Sequence, residues 1–304
     1  MAIPDFQTIM LPLLSLAGDH AEHSLAQARE VLARHFALTP EELAAKLPSG
    51  RQTTFSNRVA WAKVYLTMAG LLGSPKRGML RITPLGETVL RDPPERMTIK
   101  FLEQFPSFLQ FRKGADNTPQ NDPEYLTPAN GSETPVELLE SACLQLRNEL
   151  AASLTRHIKT NSWEFFEDLV VKLLVTMGYG GSVKDAGQAT RKTADQGIDG
   201  IIKQDRLGLD TIYLQAKRWE GVVGRPEIQK FVGALHGQRA KKGIFITTSH
   251  FSAEARDYAR QIDPKIVIID GAELVQLMID HDLGVSPVET YVIKRVDTDF
   301  FVED

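Results

Sequence analysis

Cysteine is almost missing from this chain. With Cys143 alone among 304 residues, no internal disulfide can form, and no Cys/His spacing suits a zinc site. That composition fits a reducing cytoplasm. Long apolar runs are missing too: no window reaches the roughly 18 apolar residues of a membrane span. The apolar stretch 9–16 lies near the start, but Asp5 and no basic residue precedes it. Its spacing (Phe6, Ile9, Met10, Leu13, Leu14) is that of one helical face, so we read a helix rather than a leader. No G-x-x-x-x-G-K-[ST] loop is present, which leaves no ATP site. The seven histidines form no metal-ligand motif, and a net charge of −4 rules out a histone-like chain.

What is present is ordinary globular composition, 42% hydrophobic and 24% charged. At about 150 residues per domain the length suggests two domains. Residues 114–135 carry four prolines, four acids and no lysine or arginine, which reads as a linker. We place one domain at 1–93, a linker at 94–135 and a second domain at 136–304. The stretch 95–113, with Phe101, Phe105, Phe108 and Phe111, reads as a short helix or two docked on one of them.

In the first domain, helical patterns cover about 5–17, 22–36, 40–46 and 55–69. Strands at about 71–75 and 79–83 follow, then a helix after Thr83-Pro84. Helices followed by a two-stranded wing make a winged helix-turn-helix. Residues 51–91 hold Arg51, Arg58, Lys63, Lys76, Arg77, Arg81 and Arg91 against Glu87 alone, a net of +6. A helix with basic residues on its free face beside a basic wing can neutralise phosphates and lie in a major groove. A solvated polar face, or a protein-interaction module, would show the same charges.

The second domain alternates helices and strands, which predicts an α/β fold with a mixed sheet flanked by helices. Along 210–218 Ile212, Leu214 and Ala216 share one face, and Tyr213, Gln215 and Lys217 the other. A strand covered by helices should be apolar on both faces, so Gln215 and Lys217 call for a reason. The preceding strand begins Ile198-Asp199-Gly200 and, as hairpin partner, brings Asp199 beside them. Uncompensated buried charge is costly, so an acid, an amide and a lysine at one spot lean towards function. On helix 161–177, Glu167 flanks the apolar stripe while Asp168 points away. Glu167 fits an internal site and a surface ion pair equally well.

The runs Gln196-Gly197-Ile198-Asp199-Gly200, Tyr213 to Trp219, Gly224-Arg225-Pro226-Glu227 and Gly243 to Ser249 resemble the Mrr restriction endonuclease family. So do Phe166-Glu167 and Gly178-Tyr179-Gly180, and the likeness extends to that family's N-terminal winged helix. The resemblance implies a PD-(D/E)xK nuclease fold. It places the catalytic acid on Asp199, the QxK motif on Gln215 and Lys217, and a helical glutamate on Glu167. Gln215 stands where the broader class has an acid, which leaves one or two metal ions open.

It further implies cleavage of double-stranded, methylated DNA with Mg²⁺, or Mn²⁺ in its place, to 5′-phosphate and 3′-hydroxyl ends. Mg²⁺ prefers oxygen ligands, for which Asp199, Gln215 and Glu167 are the expected donors. Double-strand cutting needs two sites, so a homodimer or larger assembly is expected. Asp195 is a lesser metal candidate and reads more readily as an acid of a flexible loop. Arg218, Arg225, the Thr247–Ser249 loop and Gln229 are lesser DNA candidates, while Trp163 and Trp219 read as packing residues. Two other readings share these residues: a structure-selective nuclease of the Holliday-junction resolvase kind, and a non-catalytic DNA-binding regulator.

Overall fold

The computed structural model describes residues 2–76, 78–113, 132–180, 198–204 and 209–294. The chain forms two compact units, and the division falls between Gln145 and Leu146, inside one long helix.

In the first unit, α1 (Phe6–Leu16) starts where Asp5 accepts the Thr8 N–H at 2.9 Å. Strand β1 (His23–Ser24) precedes α2 (Leu25–His35), and α3 (Pro40–Ala44) is a single short piece. The sequence pattern starts a helix at 22. The structure starts it at Leu25, because Ser24 and Gln27 form a reciprocal capping box that ends the extended segment. Helix α4 (Thr54–Met68) is followed by β2 (Leu72–Gly73), β3 (Met79–Ile82) and α5 (Pro84–Arg91). The sheet order β1-β3-β2, antiparallel throughout, is that of a winged helix. Val59, Ala62, Leu66 and Ala69 are all fully buried, so the predicted face of α4 does pack inward.

The aromatic stretch docks on this same unit. Helices α6 (Ile99–Leu102) and α7 (Pro106–Lys113) give Leu102 and Phe108 to the core of Phe6, Ile9, Leu13 and Phe55. The Phe108 ring meets Tyr65 of α4 edge-on at 5.8 Å.

In the second unit, α8 (Pro135–Thr160, shared with the first) and α9 (Trp163–Thr176) precede β4 (Gly200–Lys203) and β5 (Thr211–Lys217). Then come α10 (Arg225–Gly237), β6 (Lys242–Thr247), α11 (Ala253–Gln261), β7 (Lys265–Ile269) and α12 (Gly271–Asp280). Strand order is β4-β5-β6-β7, with β4 antiparallel to β5 and the other two pairs parallel. Ile212, Leu214, Ile244 and Ile246 face α9 and α12. Tyr213 and Phe245 face α10 and α11, with Phe231 edge-on to Phe245 at 5.7 Å. Both faces of the sheet are therefore covered, which is why its parallel strands are nearly all apolar.

Gly271 allows one tight contact beside the end of β6. A Cβ there would stand 2.4 Å from the Thr248 carbonyl oxygen. Gly271→Ala is expected to cost about 1–3 kcal/mol of stability, read from urea unfolding. An unchanged midpoint would mean that the 248–271 approach is looser than described.

Candidate active site

The register of the β4–β5 pair builds the site. Gly200 lies opposite Leu214, and Asp199, just ahead of β4, donates its N–H to the same Leu214 carbonyl at 2.9 Å. The carboxyl reaches β5 at the Gln215–Ala216 peptide, between the positions of Gln215 and Lys217. Asp199 Oδ2 accepts the Ala216 N–H at 2.8 Å. Burial pushes the Asp199 carboxyl above its ordinary value, while that N–H and the Lys217 charge pull in the opposite direction.

Gln215 Oε1 is buried and accepts no hydrogen bond. Leaving a buried acceptor unsatisfied costs about 1–3 kcal/mol, and this one lies beside a carboxylate at the end of β5. An unpaired amide oxygen next to a carboxyl is a donor set that suits a hard divalent cation. Among the described residues no three of His, Cys, Asp and Glu gather to hold a metal. The fit therefore rests on this mixed carboxylate–amide pair.

Lys217 follows on the same face. Its ammonium pairs with Glu227 of α10 and lies 4.2 Å from the centre of the Trp219 ring. Glu227 also accepts from Lys230 at 2.8 Å, and the two lysines hold its carboxyl below the ordinary range. The backbone after Lys217 is tied down by β6. Thr247 Oγ1 donates to the Lys217 carbonyl at 2.8 Å, and Thr248 Oγ1 accepts the Trp219 N–H at 3.0 Å.

A family model described as "Restriction endonuclease" matches residues 158–278, and one described as "Mrr N-terminal domain" matches residues 6–92. The chain is 36% identical over 311 residues to the type IV methyl-directed restriction enzyme EcoKMrr of Escherichia coli strain K12. That match spans 99% of this chain and 100% of that protein. The chain belongs to the Mrr restriction endonuclease family. Among solved structures, MspJI restriction endonuclease in complex with a 27-mer oligonucleotide is similar at a TM-score of 0.33 and 18% identity. That similarity covers 65% of this chain and 42% of MspJI. As an Mrr-family member the chain is a DNA endonuclease, of a class that uses divalent metal ions. Among the described residues no helix is long and apolar enough to cross a membrane.

Of the residues picked out in the sequence of this Mrr-family chain, Gln215 and Lys217 share one face of β5, and the Asp199 carboxyl is held at the Ala216 N–H between them. Helix α9 meets the opposite face, through Ile212 and Leu214, and carries Glu167 there half-buried and Asp168 exposed. Asp195 and Arg77 lie outside the described residues. Gln229 is exposed on α10. Arg218 donates to the carbonyls of Lys159 and Asn161, and Arg225 stacks on Tyr258 at 4.7 Å. The hydroxyls of Thr247 and Thr248, read as phosphate contacts, are instead buried and spent on backbone carbonyls. Trp219, read as packing, is 38% exposed over Lys217. Glu227 was missed: Gly224-Arg225-Pro226-Glu227 stood out in the sequence, but no sequence signal aims its carboxylate at Lys217.

In the first unit Arg51, Lys76 and Arg81 are exposed as expected for a DNA-contacting face. Arg58 departs from that face, because it donates to Glu137 at 2.8 Å and to the Ile3 carbonyl at 2.7 Å. Lys63 is half-buried and donates to Ser74 Oγ at 3.1 Å, with burial lowering its pKa.

Because the folded Asp199 carboxyl titrates above its unfolded value, its ionised form opposes folding at neutral pH. That penalty fades as the pH falls through the folded value and is gone below about 3.9. Asp199→Asn is therefore expected to melt higher than wild type at neutral pH in EDTA, with the gap closing in acid. Calorimetry at both pH values checks this, and equal melting at neutral pH would remove burial as the controlling cause.

Proposed function

We propose that the protein is a modification-dependent restriction endonuclease that hydrolyses phosphodiester bonds of methylated double-stranded DNA with Mg²⁺. The observation that carries the chemistry is the buried, unpaired Gln215 oxygen, one residue from the Ala216 N–H that holds the Asp199 carboxyl. The choice of substrate is supported by the full-length likeness to a type IV methyl-directed enzyme.

Asp199 and Gln215, with a backbone carbonyl, would hold the ion. Glu167, carried by α9 on the other face of the sheet, would not be among the donors, and Asp195 reads more readily as a loop acid than as a ligand to a second ion. A divalent ion held by these donors would supply Lewis acidity, lowering the pKa of a water and polarising the scissile phosphate. Water attacks phosphorus, the P–O3′ bond breaks, and the ends are a 5′-phosphate and a 3′-hydroxyl. Lys217 sits on the same face to orient the nucleophile and to stabilise charge on the phosphoryl oxygens. Glu227 is its positioning residue, since a carboxylate shared with Lys230 limits where the Lys217 ammonium can rest. Arg51, Lys76, Arg77 and Arg81 serve the winged helix as phosphate contacts, with Lys63 bracing the wing. Arg218, Arg225 and Gln229 would serve as lesser DNA contacts. Cutting both strands calls for a homodimer or larger assembly, and the single, exposed Cys143 suits a cytoplasmic enzyme.

The decisive test is one plasmid, methylated and unmethylated, incubated with wild type and with Lys217→Ala in Mg²⁺. Cutting confined to methylated plasmid and absent from the variant is expected. Equal cutting of both forms would retain the nuclease and remove the methyl requirement. Glu227→Gln should lower kcat about tenfold with KM for DNA unchanged, the size of one weakened charge-assisted contact. It should have no further effect in a Lys217→Ala background. Faster cutting by Glu227→Gln would show that Glu227 restrains Lys217 rather than positioning it. Mg²⁺ should also raise the melting temperature of wild type more than that of Asp199→Asn, and equal shifts would place the ion elsewhere.

A further inference from the structure

A winged helix presents the outer face of its reading helix to the duplex. In α4 that face is opposite Val59, Ala62 and Leu66, and carries Asn57, Trp61, Val64 and Met68. Of all the residues of α4, Met68 alone is exposed. Asn57 is 2% exposed and donates from Nδ2 to Thr134 Oγ1 at 2.6 Å. Arg58 Nε donates to Glu137 Oε1 at 2.8 Å, and both of these side chains are largely buried.

Just ahead of α4, Glu140 accepts the Ser49 N–H and the Ser49 hydroxyl, each at 2.8 Å. The segment that does this is braced on itself. The Thr134 N–H donates to Glu137 Oε2 at 2.7 Å, and the Glu137 N–H donates to Thr134 Oγ1 at 3.2 Å. All of these groups lie within the first unit.

An arginine side chain, a backbone N–H and a hydroxyl near a helix N-terminus are the donors that bind DNA phosphates. Here two carboxylates of the same chain occupy them. Asn57, whose amide is suited to reading an adenine edge, is sealed beneath Thr134. Asn57 and Arg58 of the covered patch belong to the stretch 51–91 with a net charge of +6, so its acidic cover matches duplex DNA in charge sign.

We propose that residues 134–140 close the DNA-reading surface of the winged helix, and that duplex DNA displaces them to bind through Ser49, Asn57 and Arg58. This rests on the reading of the first unit as the DNA-binding head. Affinity measured on the whole population is then reduced by the open fraction, so loosening the cover tightens binding without adding a contact.

The test is fluorescence anisotropy of the full chain with a short, labelled, unmethylated duplex in EDTA, which prevents cutting. Glu137→Gln/Glu140→Gln is expected to bind about tenfold tighter than wild type. Its salt slope should steepen by about 0.9 for each phosphate contact regained. Because Glu137 also caps α8, Glu140→Gln alone provides a check: it leaves the buried pair intact and should shift affinity in the same direction by less. In wild type, DNA should speed hydrogen exchange of the 135–145 amides, whereas a permanent brace would leave it unchanged. Affinity and slope equal to wild type in both variants, or DNA protecting 135–145, would overturn the proposal. Lys76→Glu/Arg81→Glu separates the underlying reading. If it weakens binding while the acid variants do nothing, the closure alone falls. If it leaves binding unchanged, the DNA-binding head and the closure fall together.

Discussion

A slip of one residue between β4 and β5 would take the Asp199 carboxyl off the Ala216 N–H and leave Gln215 and Lys217 without their acid. The site depends on that pairing, since register in a two-faced sheet decides which side chains meet. Several features hold it in place. Ile212 and Leu214 must face α9 and α12, Tyr213 must face α10, and Asp199 is tied to β5 twice, by its N–H to Leu214 and by its carboxyl to the Ala216 N–H. The same strand is pinned from the other side by β6, where Lys217 lies opposite Thr247. Chemistry is thus placed at the end of the most constrained strand of the sheet.

Polar residues at that strand end carry a local cost. The Asp199 carboxyl is destabilised by burial and the Gln215 oxygen is left without a donor, in a unit otherwise packed with aliphatic and aromatic side chains. Lys217 is treated differently: it is paired twice, to a carboxylate and to an aromatic face, and so is placed without being neutralised. One acceptor is left unsatisfied, the carboxylate has a single backbone donor and the lysine is restrained, an asymmetry that suits the proposed cation site.

Much of this was legible in the sequence. Strict alternation along 211–217 made Gln215 and Lys217 conspicuous, because two polar residues broke an apolar face. The helical spacing of Val59, Ala62 and Leu66 identified the buried face of α4 correctly. The illegible parts share a cause. The Glu227–Lys217 pair joins a helix to a strand, the Thr247 and Thr248 hydroxyls serve backbone atoms about 30 positions away, and Asn57 meets Thr134 across 77 positions. Local periodicity carries no information about such contacts. The two-residue strand at His23–Ser24 is simply too short to show a pattern. Charge counting over 51–91 found a basic region but could not show that Arg58 already has a carboxylate partner.

The near absence of cysteine, first a statement about disulfides, has a practical side. The lone thiol, Cys143, is exposed on α8, three positions beyond Glu140. A maleimide dye would therefore attach to the unaltered protein at one defined point, next to the turn that covers Asn57. Whatever that turn does when nucleic acid arrives, the native chain already carries the attachment site for an optical reporter of it.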